Sequence, residues 1–262
     1  MSVVVFILLL LLFFITSIVG VVTGSNSLIT VPAMFQAGID PRVAIATNMF
    51  GLTFMSVGGA LPFVGRGVID RKRLPATILL TLAGSIVGAL LVLVVPAASL
   101  PFVVSVSMLG VALFSVLKRD AKTEEGGQAK LEPRPVFEIV GYALTFALGI
   151  YGGFFSGGYV TMLTAAYVWL FRMSFVEAVS TTKVINVFSS FVATLVFMWR
   201  GLVDYKLGVS LAVVMFVGAY IGGRVALRMN DKLLRRIFLL TVVLLACKIL
   251  FYDFLWKGLM ER

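Results

Sequence analysis

The sequence predicts an all-α polytopic membrane protein of about eight transmembrane helices, in two homologous, inverted four-helix repeats, each with a broken helix or re-entrant segment. Of its 262 residues, 60% are hydrophobic and 13% are charged, whereas soluble domains carry about 25% charged residues. Asp, Glu, Lys and Arg do not occur in residues 1–39, 43–65, 74–117 and 139–171. Because about 20 apolar residues span the hydrocarbon, these runs predict membrane helices.

An internal repeat divides the chain into two halves. Arg66-Gly67-x-x-Asp70 recurs 134 positions later as Arg200-Gly201-x-x-Asp204. The same shift, without a gap, pairs further residues: Gly24 with Gly158, Thr30 with Thr164, Ala44 with Ala178, Thr47 with Thr181, Phe54 with Phe188, Ser56 with Ser190, Gly84 with Gly218 and Gly88 with Gly222. We therefore expect a first transmembrane repeat at 1–117, a charged linker loop at 118–135 and a second transmembrane repeat at 136–262.

Each repeat has the same order of segments. A first helix ends at a break rich in Gly and Ser ("TGSNS" or "FSGGY"), and a shorter apolar piece follows it. Three longer spans come next, with the RGxxD turn between the first and second of them. The predicted pairs are 3–23 and 137–155, 28–38 and 159–171, 42–64 and 175–198, 75–95 and 206–227, and 101–117 and 236–254. The first helix is expected to be retained rather than cleaved, because it lacks a basic n-region and an A-x-A site.

Basic residues indicate how the halves are oriented. If the short pieces stay on one side the halves are parallel, and if each crosses the membrane they are inverted. The inverted arrangement gathers Arg66, Arg71–Arg73, the linker, Arg172 and the 228–236 cluster on one face, which is the better charge asymmetry. It predicts a cytoplasmic linker and both termini outside, in a bacterial-type inner membrane. The net charge of +10 is explained by these loops, so we expect no nucleic acid partner.

Several classes of function are disfavoured by composition. The chain has no histidine and a single cysteine, Cys247, which removes HExxH metalloproteases, His-dependent serine proteases and cysteine metal clusters. We expect no enzymatic activity, no metal and no cofactor. No GxxxxGK[ST] motif occurs either, so energy for transport would come from an ion or substrate gradient.

The two breaks are the first candidate site. Irregular backbone at membrane depth is tolerated where protein or a water-filled cavity satisfies it, and transporters use such breaks to point helix N-termini at anions. A kink or close helix packing is the structural alternative. The candidate donors are Gly24, Ser25, Asn26, Gly157 and Gly158.

A second set of polar residues lies in "AIATNMFG" and "VSTTKVIN", which are equivalent in the repeat. Thr47 and Asn48 align with Thr181 and Thr182, and Lys183 and Asn186 follow. Ionisable residues inside a membrane are costly and indicate function. Lys183 lies about 9 Å along its helix from Glu177, so snorkelling to the surface is the alternative. "GSIVG" (84–88) and "GAYIG" (218–222) predict helix-packing seams.

The stretches "TGSNSLITVPAMFQAGIDPRVAIATN", "EAVSTTKVINVFSS" and "ACKILFYD" resemble the TauE/SafE family, sulfite-exporter-like proteins of the 4-toluene sulfonate uptake permease superfamily. The resemblance covers essentially the whole chain. It implies an eight-helix inner-membrane transporter of small anions, often sulfur oxyanions or organosulfonates. Many members carry a lysine directly after the first "TN", where this chain has Met49, so a single positive charge at Lys183 indicates a monovalent or smaller anion.

We therefore expect a secondary transporter that exports a small anion, such as sulfite or an organosulfonate, by alternating access between the repeats. Its partners would be that anion and the lipid bilayer, and a homodimer is an open alternative to a monomer. A channel-like anion conductor and a membrane scaffold or enzyme of a sulfur pathway are the other functions left open.

Overall fold

The computed structural model of the chain describes residues 2–24, 26–117, 135–229 and 233. These ranges form helices joined by short connections, and they contain no β-strand. The helices are α1 Val3–Thr23, α2 Ser27–Gln36, α3 Pro41–Ala60, α4 Leu74–Val94, α5 Leu100–Leu117, α6 Pro135–Phe154, α7 Tyr159–Leu170, α8 Phe175–Trp199 and α9 Tyr205–Ala226. The predicted all-α architecture is confirmed for this part of the chain.

Six of the described helices are long and apolar enough to cross a membrane: α1, α3 with the 3-10 turn that follows it, α4, α6, α8 and α9. The protein is therefore a multi-pass membrane protein. The fourth span predicted for the first half corresponds to α5, and the one predicted at 236–254 lies outside the described residues, as does most of the 118–135 linker. The count of eight spans stays a prediction.

Local capping explains where the helices begin and end. Asp40 starts α3 by accepting hydrogen bonds from the backbone N–H groups of Arg42 and Val43, and Pro41 occupies the first turn. Ser174 and Glu177 form a capping box at the start of α8. Gly24 ends α1 in the left-handed conformation, with φ 68°. The caps thus separate α1 from α2 and α2 from α3 without long loops.

Two equivalent hydrogen bonds join the repeats. The Thr47 hydroxyl in α3 accepts a bond from the backbone N–H of Asp204, just before α9, at 3.0 Å. The Thr181 hydroxyl in α8 accepts one from the backbone N–H of Asp70, in the turn before α4, also at 3.0 Å. Because each bond joins the beginning of one helix to the residues after the end of the other, α3 and α8 pack antiparallel.

Each repeat packs its fourth helix on the other repeat. α4 lies against α6 and α8, and its counterpart α9 lies against α1 and α3. Glycines allow the close approach: Gly84 and Gly88 face the backbone of α6, and Gly218 and Gly222 face the backbone of α1. The two predicted small-xxx-small seams are therefore confirmed as packing surfaces.

These seams give a stability prediction. A Cβ added at Gly88 would overlap the carbonyl oxygen of Ile150, and one at Gly222 would overlap that of Ile18. Gly88→Ala and Gly222→Ala should each lower the free energy of unfolding by about 1–3 kcal/mol, because rigid backbone must move. Thermal unfolding in detergent measures this. Gly110→Ala is the matched control, since nothing lies within 4 Å of its added Cβ, and a loss as large as in the seams would contradict the explanation.

A partly buried ion-pair cluster joins the two halves at one face. The Arg73 guanidinium bonds Asp70 at 2.8 Å and Glu138 of α6 at 2.8 Å, and it lies 5.1 Å from the ring centre of Phe171, which follows α7. Burial alone would lower the pKa of Arg73, but the bonds to Asp70 and Glu138 raise it above its ordinary value. The positions equivalent to Arg73 and Glu138 in the repeat are occupied by Leu207 and Val4. Because both are apolar, the repeat does not reproduce this cluster at the opposite face.

Candidate functional site

The two chain breaks contact each other. The Thr161 hydroxyl in α7 donates to the carbonyl oxygen of Thr23, at the end of α1, at 2.5 Å. The hydroxyls of Ser27 and Ser156, one from each break, are 2.7 Å apart. A Cβ at Gly24 would lie 2.8 Å from the backbone nitrogen of Thr161, so this crossing requires glycine. Short helices from both repeats therefore begin at one place.

A small buried cavity lies beside this crossing. Its lining comes from both repeats: Gly20, Gly24, Asn26, Ser27, Leu52, Met55, Ser156, Val160, Lys183 and Asn186. In this conformation it has room for about one water molecule. Polar and apolar side chains both face it, so the cavity has the mixed lining of a small-molecule site.

Lys183 is buried in this lining with 3% of its surface exposed. Its Nζ donates to the carbonyl oxygen of Gly20 at 2.9 Å, in the last turn of α1, where the carbonyl dipoles favour a cation. Within the described residues, no carboxylate forms an ion pair with Lys183. Its side chain therefore points into the protein and does not snorkel to the surface.

Two asparagines also line the cavity. Asn26 is 4% exposed, and its Nδ2 donates to the sulfur of Met55 at 3.4 Å. Its Oδ1 is buried and has no hydrogen-bond partner among the described residues. Asn186 donates from Nδ2 to the hydroxyl of Ser56 at 2.6 Å, which joins α8 to α3.

Four of the predicted site residues line the cavity: Gly24, Asn26, Lys183 and Asn186. Asn48 lies behind it, because its Nδ2 donates to Ser27 at 3.0 Å and its Oδ1 accepts from Thr30 at 2.8 Å. Gly157 and Gly158 form the second break, and the carbonyl oxygen of Gly157 accepts a bond from Tyr151. Ser25 lies outside the described residues.

The predicted threonines contribute to packing around the site. Thr182 contacts Thr164 at 3.1 Å between hydroxyl oxygens, which is the equivalent in the repeat of the contact between Asn48 and Thr30. Thr47 and Thr181 hold the turns at Asp204 and Asp70. None of the three lines the cavity in this conformation.

Sequence reasoning did not single out six of the lining residues: Gly20, Ser27, Leu52, Met55, Ser156 and Val160. Val160 and Leu52 could have been predicted from the repeat, because the 134-residue shift pairs Asn26 with Val160 and Leu52 with Asn186. Each pair faces the cavity with one polar and one apolar member. Ser27 and Ser156 were inside the quoted breaks, and Gly20 and Met55 had no separate signal.

Broken helices from two repeats, meeting around a buried cavity with a cationic side chain, define the class of membrane transporters. The sulfite exporter TauE/SafE family model matches residues 8–249. The chain belongs to this family and is a membrane transporter. Membership of a transporter family favours transport over catalysis. Within the described residues, no three His, Cys, Asp or Glu side chains are grouped to hold a metal ion.

Similar proteins have the same general description. The chain is 28% identical to "Probable membrane transporter protein ORF9" of Sinorhizobium sp, over 90% of this chain and 89% of that protein. It is 29% identical to "Probable membrane transporter protein YfcA" of Escherichia coli K12, over 93% and 90%. It is 23% identical to "Probable membrane transporter protein YunE" of Bacillus subtilis, over 85% of each. No solved structure matches the chain.

Proposed function

We propose that this protein is a secondary transporter that exports a small anion, such as sulfite or an organosulfonate. The observation that supports this most directly is Lys183, a buried cation bonded to a backbone carbonyl and, within the described residues, to no carboxylate. A buried charge without a counter-charge is costly in the membrane interior. A bound anion would supply the missing charge and accept bonds from the remaining N–H groups.

The surrounding residues supply further donors. Ser27 accepts a bond from Asn48 and shares one with Ser156. Whichever serine donates within this pair, the other keeps a hydroxyl proton for a ligand. α2 and α7 begin at the same place, and the positive ends of their dipoles favour an anion. The proposed site comprises Gly24, Ser25, Asn26, Thr47, Asn48, Gly157, Gly158, Thr181, Thr182, Lys183 and Asn186.

Alternating access between inverted repeats is the proposed mechanism. The antiparallel packing of the equivalent helices α3 and α8 supports the inversion. Contact between Arg73 and Phe171 supports it as well, because it brings the neighbouring Arg172 to the face of the 66–73 loop. That basic face would be cytoplasmic, with the termini outside, in a bacterial inner membrane. A cavity with room for about one water must open to admit a sulfur oxyanion.

Transport in proteoliposomes tests this function against the channel alternative. A carrier should show saturable uptake of labelled sulfite, and vesicles preloaded with unlabelled sulfite should take up label faster, because a loaded site returns more readily than an empty one. Protein-free liposomes are the control. Flux that rises linearly with concentration, without acceleration by preloading, would show a conductor, and absence of flux for all sulfur oxyanions and sulfonates would contradict the anion assignment.

A further inference from the structure

We propose that the cavity selects anions that retain a hydrogen-bond donor, and that Asn26 Oδ1 accepts the bond from that donor. This inference rests on the proposed function and adds a rule of selection to it. Asn26 Nδ2 donates one hydrogen bond to the Met55 sulfur. The Oδ1 side is buried without a partner among the described residues, in a side chain that lines the cavity.

The carbonyl oxygen of Gly20 has its acceptor capacity filled. The carbonyl oxygen of Gly20 accepts bonds from both Lys183 Nζ at 2.9 Å and the backbone N–H of Gly24 at 2.9 Å. A carbonyl oxygen has two lone pairs, so these two bonds occupy both. Ser27 accepts from Asn48 and is paired with Ser156. Leu52 and Val160 offer no acceptor. Asn26 Oδ1 is thus a buried acceptor without a partner among the described residues, in a side chain that lines the cavity.

The free donors and this acceptor define a complementary ligand. Two N–H groups of Lys183 and one serine proton would bind oxygens of the anion. Asn26 Oδ1 would then require an O–H or N–H group on the same anion. An anion with lone pairs or a methyl group at this place leaves Oδ1 desolvated and unpaired, which is the situation that gives polar sites their strongest discrimination. We expect a preference of about tenfold or more for the donor-bearing anion.

Sulfamate and methanesulfonate test the rule, because they are monoanions of the same shape that differ by NH2 in place of CH3. Their dissociation constants would be measured on the full chain in detergent, from the concentration dependence of the thermal unfolding temperature. The parent protein should bind sulfamate about tenfold more tightly than methanesulfonate. Equal affinities, or tighter binding of methanesulfonate, would overturn the inference and leave the anion site in place. If neither anion binds, this inference fails, whereas the proposed function is decided separately by the sulfite transport assay.

Two variants separate the acceptor from the shape of Asn26. Asn26→Leu removes the acceptor at similar volume, so the ratio of the two dissociation constants should fall to about one. Asn26→Asp keeps acceptor oxygens and adds a negative charge, so both anions should bind more weakly with the preference retained. If Asn26→Leu does not fold, the Asp variant still decides: loss of the preference there would contradict the acceptor role.

Discussion

Lys183→Met is expected to reduce the affinity for every anion that binds the parent by about 30-fold or more. Removing one member of a buried, hydrogen-bonded charge pair costs about 2–5 kcal/mol, which corresponds to a factor of roughly 30 to several thousand. The substitution also matches the repeat, since Met49 stands at the equivalent position of the first half. The measurement is a thermal-shift panel of sulfite, sulfate, thiosulfate, sulfonates and carboxylates, with parent and variant in parallel.

The stability of the ligand-free variant distinguishes this loss from misfolding. Lys183 is buried with no carboxylate partner among the described residues, so an apolar residue of similar length should leave the unfolding temperature unchanged or raise it. Lys206→Met is the matched control, because Lys206 is an exposed lysine at the start of α9 and its removal should leave every anion effect intact. Equal stabilisation of parent and Lys183→Met by every active anion would reject the anion site.

Arg73→Met should lower the free energy of unfolding by about 3 kcal/mol, because it leaves the buried Asp70 carboxylate without its counter-charge. The Asp70 side chain is 7% exposed and Glu138 is 31% exposed, so most of the effect should come from Asp70. Denaturant or thermal unfolding in mild detergent gives the value. The bond between Arg73 and Glu138 also joins the first repeat to α6. In Arg73→Met, the two halves should therefore separate at a lower temperature or denaturant concentration.

A double substitution and a surface control test this explanation. Adding Glu138→Gln to Arg73→Met should recover part of the lost stability, because one of the uncompensated charges is removed. Arg66→Met, at an exposed position of the same loop, should change stability by less than about 0.5 kcal/mol. If Arg73→Met is no more destabilising than Arg66→Met, the cluster contributes nothing beyond an ordinary surface ion pair.

Helix positions were predictable because each has a local cause. The prediction of 3–23 for the first helix agrees with α1, and 159–171 agrees closely with α7. The length of each apolar run predicts the long helices. Glycines with a positive φ mark the end of α1 at Gly24 and the start of α7 at Gly158. The predicted helix at 42–64 extends beyond the end of α3 at Ala60. The residues that follow, Leu61–Phe63, form a 3-10 turn but are as apolar as the helix, so hydropathy does not mark the boundary.

The site was predictable only in part. Lys183 and the breaks were visible because polar residues stand out in an apolar run. Their partners were not: Lys183 bonds Gly20, which is 163 residues away, and Ser27 contacts Ser156 at a separation of 129 residues. Thr47 and Thr181 carried the same polar signal as Lys183, yet they bond the turns before α9 and α4. A single sequence does not distinguish a polar side chain that binds a ligand from one that forms a hydrogen bond with the backbone.

By itself, the sequence determined the membrane class and the positions of most helices, because hydrophobic length and capping residues are local properties, and it predicted a duplication from the 134-residue period. The tertiary structure decided which polar residues share the cavity. It did so through the close packing of α3 on α8 and the crossing of the breaks at Gly24 and Thr161. These contacts depend on the complementary shapes of helix faces distant in sequence, and only the folded chain brings Lys183 and Asn26 into the lining of one cavity.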